Sequence, residues 1–140
     1  LNRRPPHVAA CPSTMPCAAD RSAYASLGDG GPLSALAELE TGARLGLKLL
    51  IVVYNDAAYG AEVHHFATLG RPLDIVRFPD TDFAGIARAC GLEGLTVRKP
   101  EDLAPVTGWL KGNRDRALVV DAKVVPTVVA EWLEEAFKGH

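Results

Sequence analysis

The run Leu49-Leu50-Ile51-Val52-Val53-Tyr54 decides the fold. Side chains alternate sides along an extended chain, and here both sides are apolar, so neither face is built for water. The run is far shorter than the roughly 20 apolar residues a membrane helix needs. Asn55-Asp56 ends it with turn-forming residues. Such a segment reads as a strand in the middle of a parallel sheet covered on both sides.

The chain on either side alternates between strand and helix patterns. Upstream, Ser22–Leu27 reads as a short strand ended by Gly28-Asp29-Gly30-Gly31. Leu36, Leu39, Ala43 and Leu47 then recur at steps of three, four and four, one face of a helix. Pro32 suits the first turn of that helix, Glu40 and Arg44 can pair on its wet face, and Gly46 ends it. Downstream, Gly60–Phe66 reads as one or two helical turns and Asp74–Phe78 as a weaker strand. Asp80, Thr81 or Asp82 caps the next helix, which buries Phe83, Ile86, Ala87 and Cys90 and stops at Gly91. Leu95–Arg98 is a further strand. A helix with Glu101 and Asp102 at its start and Leu103, Val106 and Leu110 inward follows, weakened by Pro105 and Gly108. Ala117–Ala122 is the last strand, and Thr127 caps a final helix with Val129, Trp132, Leu133, Ala136 and Phe137 inward. Five strands alternating with about five helices predict an α/β fold, a mostly parallel sheet with helices on both faces.

Composition narrows the class. The chain has 140 residues, 15 Lys+Arg, 17 Asp+Glu and a formal net charge of −2. That length supports one core, and the 48% apolar and 23% charged fractions are those of a soluble globular domain. Near-neutral charge excludes a nucleic-acid binder that works by neutralising phosphates. No membrane span or signal peptide is expected. Cys11, Cys17 and Cys90 cannot all pair within the chain and lack C-x-x-C spacing, which points to a reducing cytoplasm. Residues 1–19 hold four of the ten prolines and no acid, and read as an irregular or disordered arm before a domain over 20–140.

The chemistry sits at two loops. Ligands of open parallel sheets bind outside the carboxyl ends of the strands. Gly28-Asp29-Gly30-Gly31 follows one strand, and Asn55-Asp56-Ala57-Ala58-Tyr59-Gly60 follows the central one. Three glycines let a backbone approach an anion such as phosphate closely, but the Asp29 carboxylate would repel it. A divalent cation between them removes the conflict, and Mg²⁺ takes carboxylate and phosphate oxygens together. Asp56 adds a second carboxylate and Asn55 an amide oxygen; neighbouring strands about 5 Å apart would let both loops close on one ion. Without a cation the two carboxylates raise each other's pKa. The bland alternative is a tight turn at Gly28–Gly31 and a helix cap at Asn55-Asp56. The loop is neither a G-x-G-x-x-G fingerprint nor a P-loop.

At these residues the sequence resembles the C-terminal diphosphate-binding domain of thiamine-diphosphate-dependent enzymes. Gly28-Asp29-Gly30 is followed by 24 residues and then Asn55, matching the family's Gly-Asp-Gly…Asn signature. Leu36–Thr41 and Gly46-Leu47-Lys48 also look like the family, and Tyr59–Phe66 looks most like its acetolactate synthase and 2-oxoacid decarboxylase branch. The resemblance implies thiamine diphosphate and Mg²⁺ as cofactors. The metal set would be Asp29, Asp56, the Ala58 carbonyl and Asn55, and the cofactor contacts Gly28, Asp29, Gly30, Gly31, Asn55, Asp56, Ala58, Tyr59 and Gly60. Asp56 stands where the family commonly has a second Asn, which keeps an oxygen donor but adds negative charge.

Family chemistry is the decarboxylation of a 2-oxoacid, with the cofactor as electron sink. It also needs a pyrimidine-binding domain or subunit, so this chain alone is expected to be inert, with no catalytic residue of its own, and part of a homo-oligomeric enzyme. The alternatives are the small subunit of a two-subunit decarboxylase and a non-catalytic α/β subunit-contact module. Glu62, His64 and His65 are read as surface residues or as bordering the substrate, Tyr59 as packed beside the loop or touching cofactor, Trp109 and Trp132 as core. Asp121 is read as a solvated or capping acid at a strand end.

Overall fold

The computed structural model describes residues 23–129. Within them β1 (Ala23–Gly28), β2 (Leu49–Asn55), β3 (Glu93–Val97) and β4 (Leu118–Lys123) form one sheet in the order β1-β2-β4-β3, with every neighbouring pair parallel. The expected α/β architecture is therefore present, and β2 holds an inner position.

Alternation along β2 divides two cores. Leu49, Ile51 and Val53 meet Phe83, Ala87, Leu92 and Val119 on one face. Leu50 and Val52 meet Val97, Val106, Trp109 and Val120 on the other. The first face is covered by α2 (Ala37–Arg44), through Leu39 and Ala43, and by α4 (Phe83–Ala89). The second is covered by α5 (Ala104–Lys111), whose Trp109 indole donates to the Arg116 carbonyl at 3.0 Å. Phe83 is 1% exposed, and burying an aromatic ring of that size contributes about 1.5–3 kcal/mol. Gly94 lets α4 lie directly on β3, because a Cβ there would stand 2.1 Å from the Ala84 carbonyl oxygen.

Several expectations need correction. The single helix predicted from Pro32 in its first turn to Gly46 at its end is two pieces, α1 (Gly30–Ser34) and α2. The Ala35 N–H takes the Pro32 carbonyl in a tight turn and Ala35 leaves helical geometry at φ −126°, so the ladder restarts. The predicted strand at Asp74–Phe78 does not join the sheet; only Arg77 forms a bridge, antiparallel to Ala58. Ile86 and Cys90 are half-buried rather than core, and Ala84 takes a core place beside Phe83 and Ala87. In α5 the inward pair is Val106 and Trp109, while Leu103 and Leu110 face solvent. The 1–19 arm and all but the start of the final predicted helix, with Trp132, lie outside the described residues; Thr127 itself lies in a turn.

Candidate functional site

Parallel pairing of β1 with β2 sets Gly28 opposite Tyr54, so the two predicted loops leave adjacent strands at the same end of the sheet. The Asp29 N–H donates to the Tyr54 carbonyl at 3.1 Å and extends the ladder by one residue. Asp29 is 3% exposed. Its Oδ2 accepts the Ala58 N–H at 3.1 Å, a direct bond from the first loop to the second.

Burial pushes the Asp29 carboxyl above its ordinary value, and the negative charge of Asp56 pushes it further. The N–H groups of Ala58, Gly30 and Ala57 pull the other way without cancelling the rise. The site thus holds an acid that burial and a like charge both discourage from ionising.

The second loop is shaped by its own contacts. Asn55 is 3% exposed; its Oδ1 accepts the Ala57 N–H at 3.1 Å, and its Nδ2 donates to the Thr81 carbonyl at 3.0 Å and to Asp121 Oδ1 at 2.9 Å. Both ends of the amide are thereby engaged inside the protein. Ala57 has a φ of 57°, a left-handed conformation that costs a non-glycine residue roughly 1 kcal/mol or more. The Asn55 bond and a 2.7 Å bond from the Phe78 N–H to the Ala57 carbonyl hold it there. The Tyr59 N–H donates to the Val76 carbonyl at 2.8 Å, so the segment once expected as a strand clamps this loop instead.

Glycines at the site serve close approach. A Cβ on Gly30 would meet the Tyr59 ring at 2.2 Å, and one on Gly60 would meet Asp56 Oδ2 at 2.5 Å. Tyr59 lies across Gly30, edge-on to Phe78 with ring centres 4.6 Å apart, and Asp56 folds over the start of α3 (Gly60–Thr68). Gly31 and Gly28 are exposed at the rim, and Ala58 is buried beneath it. His64 and His65 are half-buried on α3 and Glu62 is exposed.

Asp121 is not the solvated or capping acid that the sequence predicts. It is fully buried, lies on the same side of the sheet as Val53 and Asn55, and pairs with Lys123 Nζ at 3.0 Å through Oδ2. Lys123 also bonds Asp80 and the Thr81 carbonyl. These ion pairs hold the Lys123 ammonium above its ordinary value although burial alone would lower it, and Lys123 holds Asp80 below its own. A cleft of about 300 Å³ opens here between Asp80, Arg88, Thr96, Arg98 and Lys123. The spacing of Asp121 and Lys123, two apart on one strand, was the signal that could have placed them on one face.

Fold and loop placement define a class: an α/β domain with two acidic loops outside the carboxyl ends of adjacent parallel strands, where such sheets take ligands. A family model described as thiamine pyrophosphate enzyme, C-terminal TPP-binding domain, matches residues 8–122, and the chain belongs to that family. The match begins within the segment read as an arm.

Among curated relatives, the chain is 34% identical over 79 residues to the acetolactate synthase of Bacillus subtilis (strain 168), covering 56% of this chain and 14% of that one. It is 33% identical over 86 residues to the sulfoacetaldehyde acetyltransferase of Castellaniella defragrans, covering 61% and 14%. The YdaP protein of Bacillus subtilis (strain 168) is 29% identical over 105 residues, 75% of this chain and 18% of its own length. The chain therefore spans less than a fifth of these relatives.

In fold it is similar to the thiamine diphosphate-dependent 4-hydroxybenzoylformate decarboxylase of Rhodococcus jostii RHA1, with a TM-score of 0.66 and 21% identity over 78% of this chain and 21% of that one. It is similar also to the benzoylformate decarboxylase of Polynucleobacter necessarius, with a TM-score of 0.62 and 19% identity over 76% and 20%. Among the described residues no helix is long and apolar enough to cross a membrane.

Proposed function

We propose that this domain holds the diphosphate of thiamine diphosphate through Mg²⁺ within a 2-oxoacid decarboxylase or carboligase. One observation carries the reading. The buried carboxylate of Asp29 is tied to the Asp56 loop by the Ala58 N–H, and the charge of Asp56 opposes its ionisation. A divalent cation would turn that repulsion into attraction.

The donor set fits a hard cation: the Asp29 and Asp56 carboxylates and the Ala58 carbonyl are all oxygen donors. No group of three or more His, Cys, Asp and Glu side chains gathers among the described residues. Mg²⁺ bound by these few donors would fill the rest of its shell with waters and substrate phosphate oxygens. Asn55 shapes the loop instead of ligating, because its amide is engaged with Ala57, Thr81 and Asp121. Backbone N–H groups of Gly30 and Gly31 would hold the diphosphate, with Tyr59, which lies across Gly30, beside it.

Bound thiamine diphosphate supplies the electron sink for decarboxylation. This chain's residues bind and orient it; they carry no acid–base step. The pyrimidine-binding domain comes from elsewhere in a longer polypeptide or from another subunit of an oligomer, consistent with the small share of its relatives that the chain spans. The free Cys90 thiol suits a cytoplasmic location.

Calorimetric titration of thiamine diphosphate with Mg²⁺ into the wild-type chain and into Asp29→Ala tests the reading. The affinity should fall at least 100-fold in the variant; equal affinity in the two would end it.

A further inference from the structure

We infer that Asp121 is a positioning residue for the cofactor site: it orients the Asn55 amide and, through it, the loop that presents Ala58 to Asp29. The inference rests on the metal-site reading above and adds a residue that reading does not contain.

Four contacts form the chain of cause. Asp121 Oδ1 accepts one Nδ2 hydrogen of Asn55 and the Thr81 carbonyl accepts the other. Both amide hydrogens are thus assigned, and Oδ1 of Asn55 is left pointing at the Ala57 N–H. An Asn side chain bonded to the N–H two residues on closes an Asx-turn, which stabilises Ala57 in its left-handed conformation. That turn reverses the backbone so that the next N–H, on Ala58, meets Asp29 Oδ2. Were the Asn55 amide flipped, its NH₂ would face the Ala57 N–H and its oxygen would face Asp121 and the Thr81 carbonyl, three repulsive contacts in place of three bonds.

Lys123 makes this orientation durable. A fully buried carboxylate is costly to keep in the interior unless an opposite charge stands beside it. The ammonium of Lys123 stands beside Asp121 Oδ2 and reaches Asp80 and the Thr81 carbonyl, so it holds both acceptors of the Asn55 amide, Asp121 and Thr81, in one cluster. Neither Asp121 nor Lys123 is in hydrogen-bond contact with Asp29 or Asp56 in this network; they act through Asn55.

The test is amide hydrogen exchange on the full 140-residue chain, with no cofactor added, in three proteins: wild type, Asp121→Asn, and the pair Asp121→Val with Lys123→Met. The paired change removes the buried charges together, which preserves folding better than stripping one partner. Asp121→Asn keeps an acceptor for the Asn55 amide. The Ala57 and Ala58 amides should exchange at least tenfold faster in the paired variant, measured relative to the Val119 amide in β4, and within threefold of wild type in Asp121→Asn. Unchanged relative rates in the paired variant, or equal acceleration in both, would overturn the inference. Calorimetry with Mg²⁺ and thiamine diphosphate should show about tenfold weaker binding in the paired variant and near-wild-type binding in Asp121→Asn. Wild-type chain that binds no thiamine diphosphate would remove the metal-site reading, while the exchange rates would still decide whether Asp121 orders the loop.

Discussion

Asp29 and Asp121 are both buried acids at the same end of the sheet, 3% and 0% exposed, yet they are handled oppositely. Asp121 has its counter-ion in the chain, Lys123, two residues along the same strand. Asp29 has another acid, Asp56, and only N–H dipoles to offset it. On the proposed function, the difference separates a carboxylate kept for structure from one kept for a ligand. The first is neutralised at home; the second carries an unmet charge that a cation can satisfy.

The largest effect should come from breaking the internally neutralised acid. Asp121→Ala takes one acceptor from the Asn55 amide and the buried counter-ion from Lys123, which keeps Asp80 and the Thr81 carbonyl, so the cost should lie at or below the roughly 3–5 kcal/mol of breaking a buried pair. Chemical denaturation should show that loss, and a stability within 1 kcal/mol of wild type would place Asp121 among ordinary core positions.

Asp29→Asn sharpens the contrast from the other side. The amide can still accept the Ala58 N–H, but the buried charge is gone. Without cofactor the variant should melt higher than wild type, by roughly the 1 kcal/mol typical of relieving a functional-site conflict, while Mg²⁺-dependent binding is lost. Thermal melts with and without Mg²⁺ and thiamine diphosphate check both halves.

A pH titration of stability follows from the same acid. Unfolded, the Asp29 carboxyl ionises near 3.8; folded, it holds its proton to higher pH. Between those values the folded state binds more protons, so the Asp29 contribution makes stability fall as pH rises through the window. Asp80 runs the other way, its contribution present above its unfolded value and fading on acidification through its lowered folded value. Subtracting the Asp29→Asn profile from the wild-type profile isolates the falling component, and a difference that rises with pH would contradict the assignment. Asp56→Asn should reduce that falling component without abolishing it, because burial of Asp29 remains the larger cause.

The smallest effect belongs to the surface. Arg44→Ala breaks the exposed pair with Glu40 at 3.2 Å and should change stability by less than about 0.5 kcal/mol.

The same contrast explains what the sequence disclosed. The placement of Asp29 and Asp56 was legible because each lies directly after a strand, and a run apolar on both faces, Leu49–Tyr54, could only be an inner strand. Gly46 and Gly91 were legible as helix ends, and both adopt left-handed backbones, at φ 59° and 87°. Asp121 was hidden because its meaning depends on a neighbour, β2, whose register brings Asn55 to it from 66 residues away. Asp74–Phe78 misled because its alternation serves a local clamp, pairing with the Ala57–Tyr59 turn rather than with the sheet. The helix break at Ala35 was equally hidden: the spacing of Leu36, Leu39 and Ala43 reports only which face is apolar, and that face survives the break.

Among the described residues the Asp29 carboxyl faces Asp56 and N–H dipoles, and its ionisation is the property on which cofactor binding should depend. Carbon-13 NMR of that carboxyl across pH, first in the chain alone and then with Mg²⁺ and thiamine diphosphate, measures this directly. The pKa should lie above the ordinary aspartate value in the chain alone and drop below it when both are added. An ordinary pKa that Mg²⁺ and thiamine diphosphate leave unmoved would contradict the account.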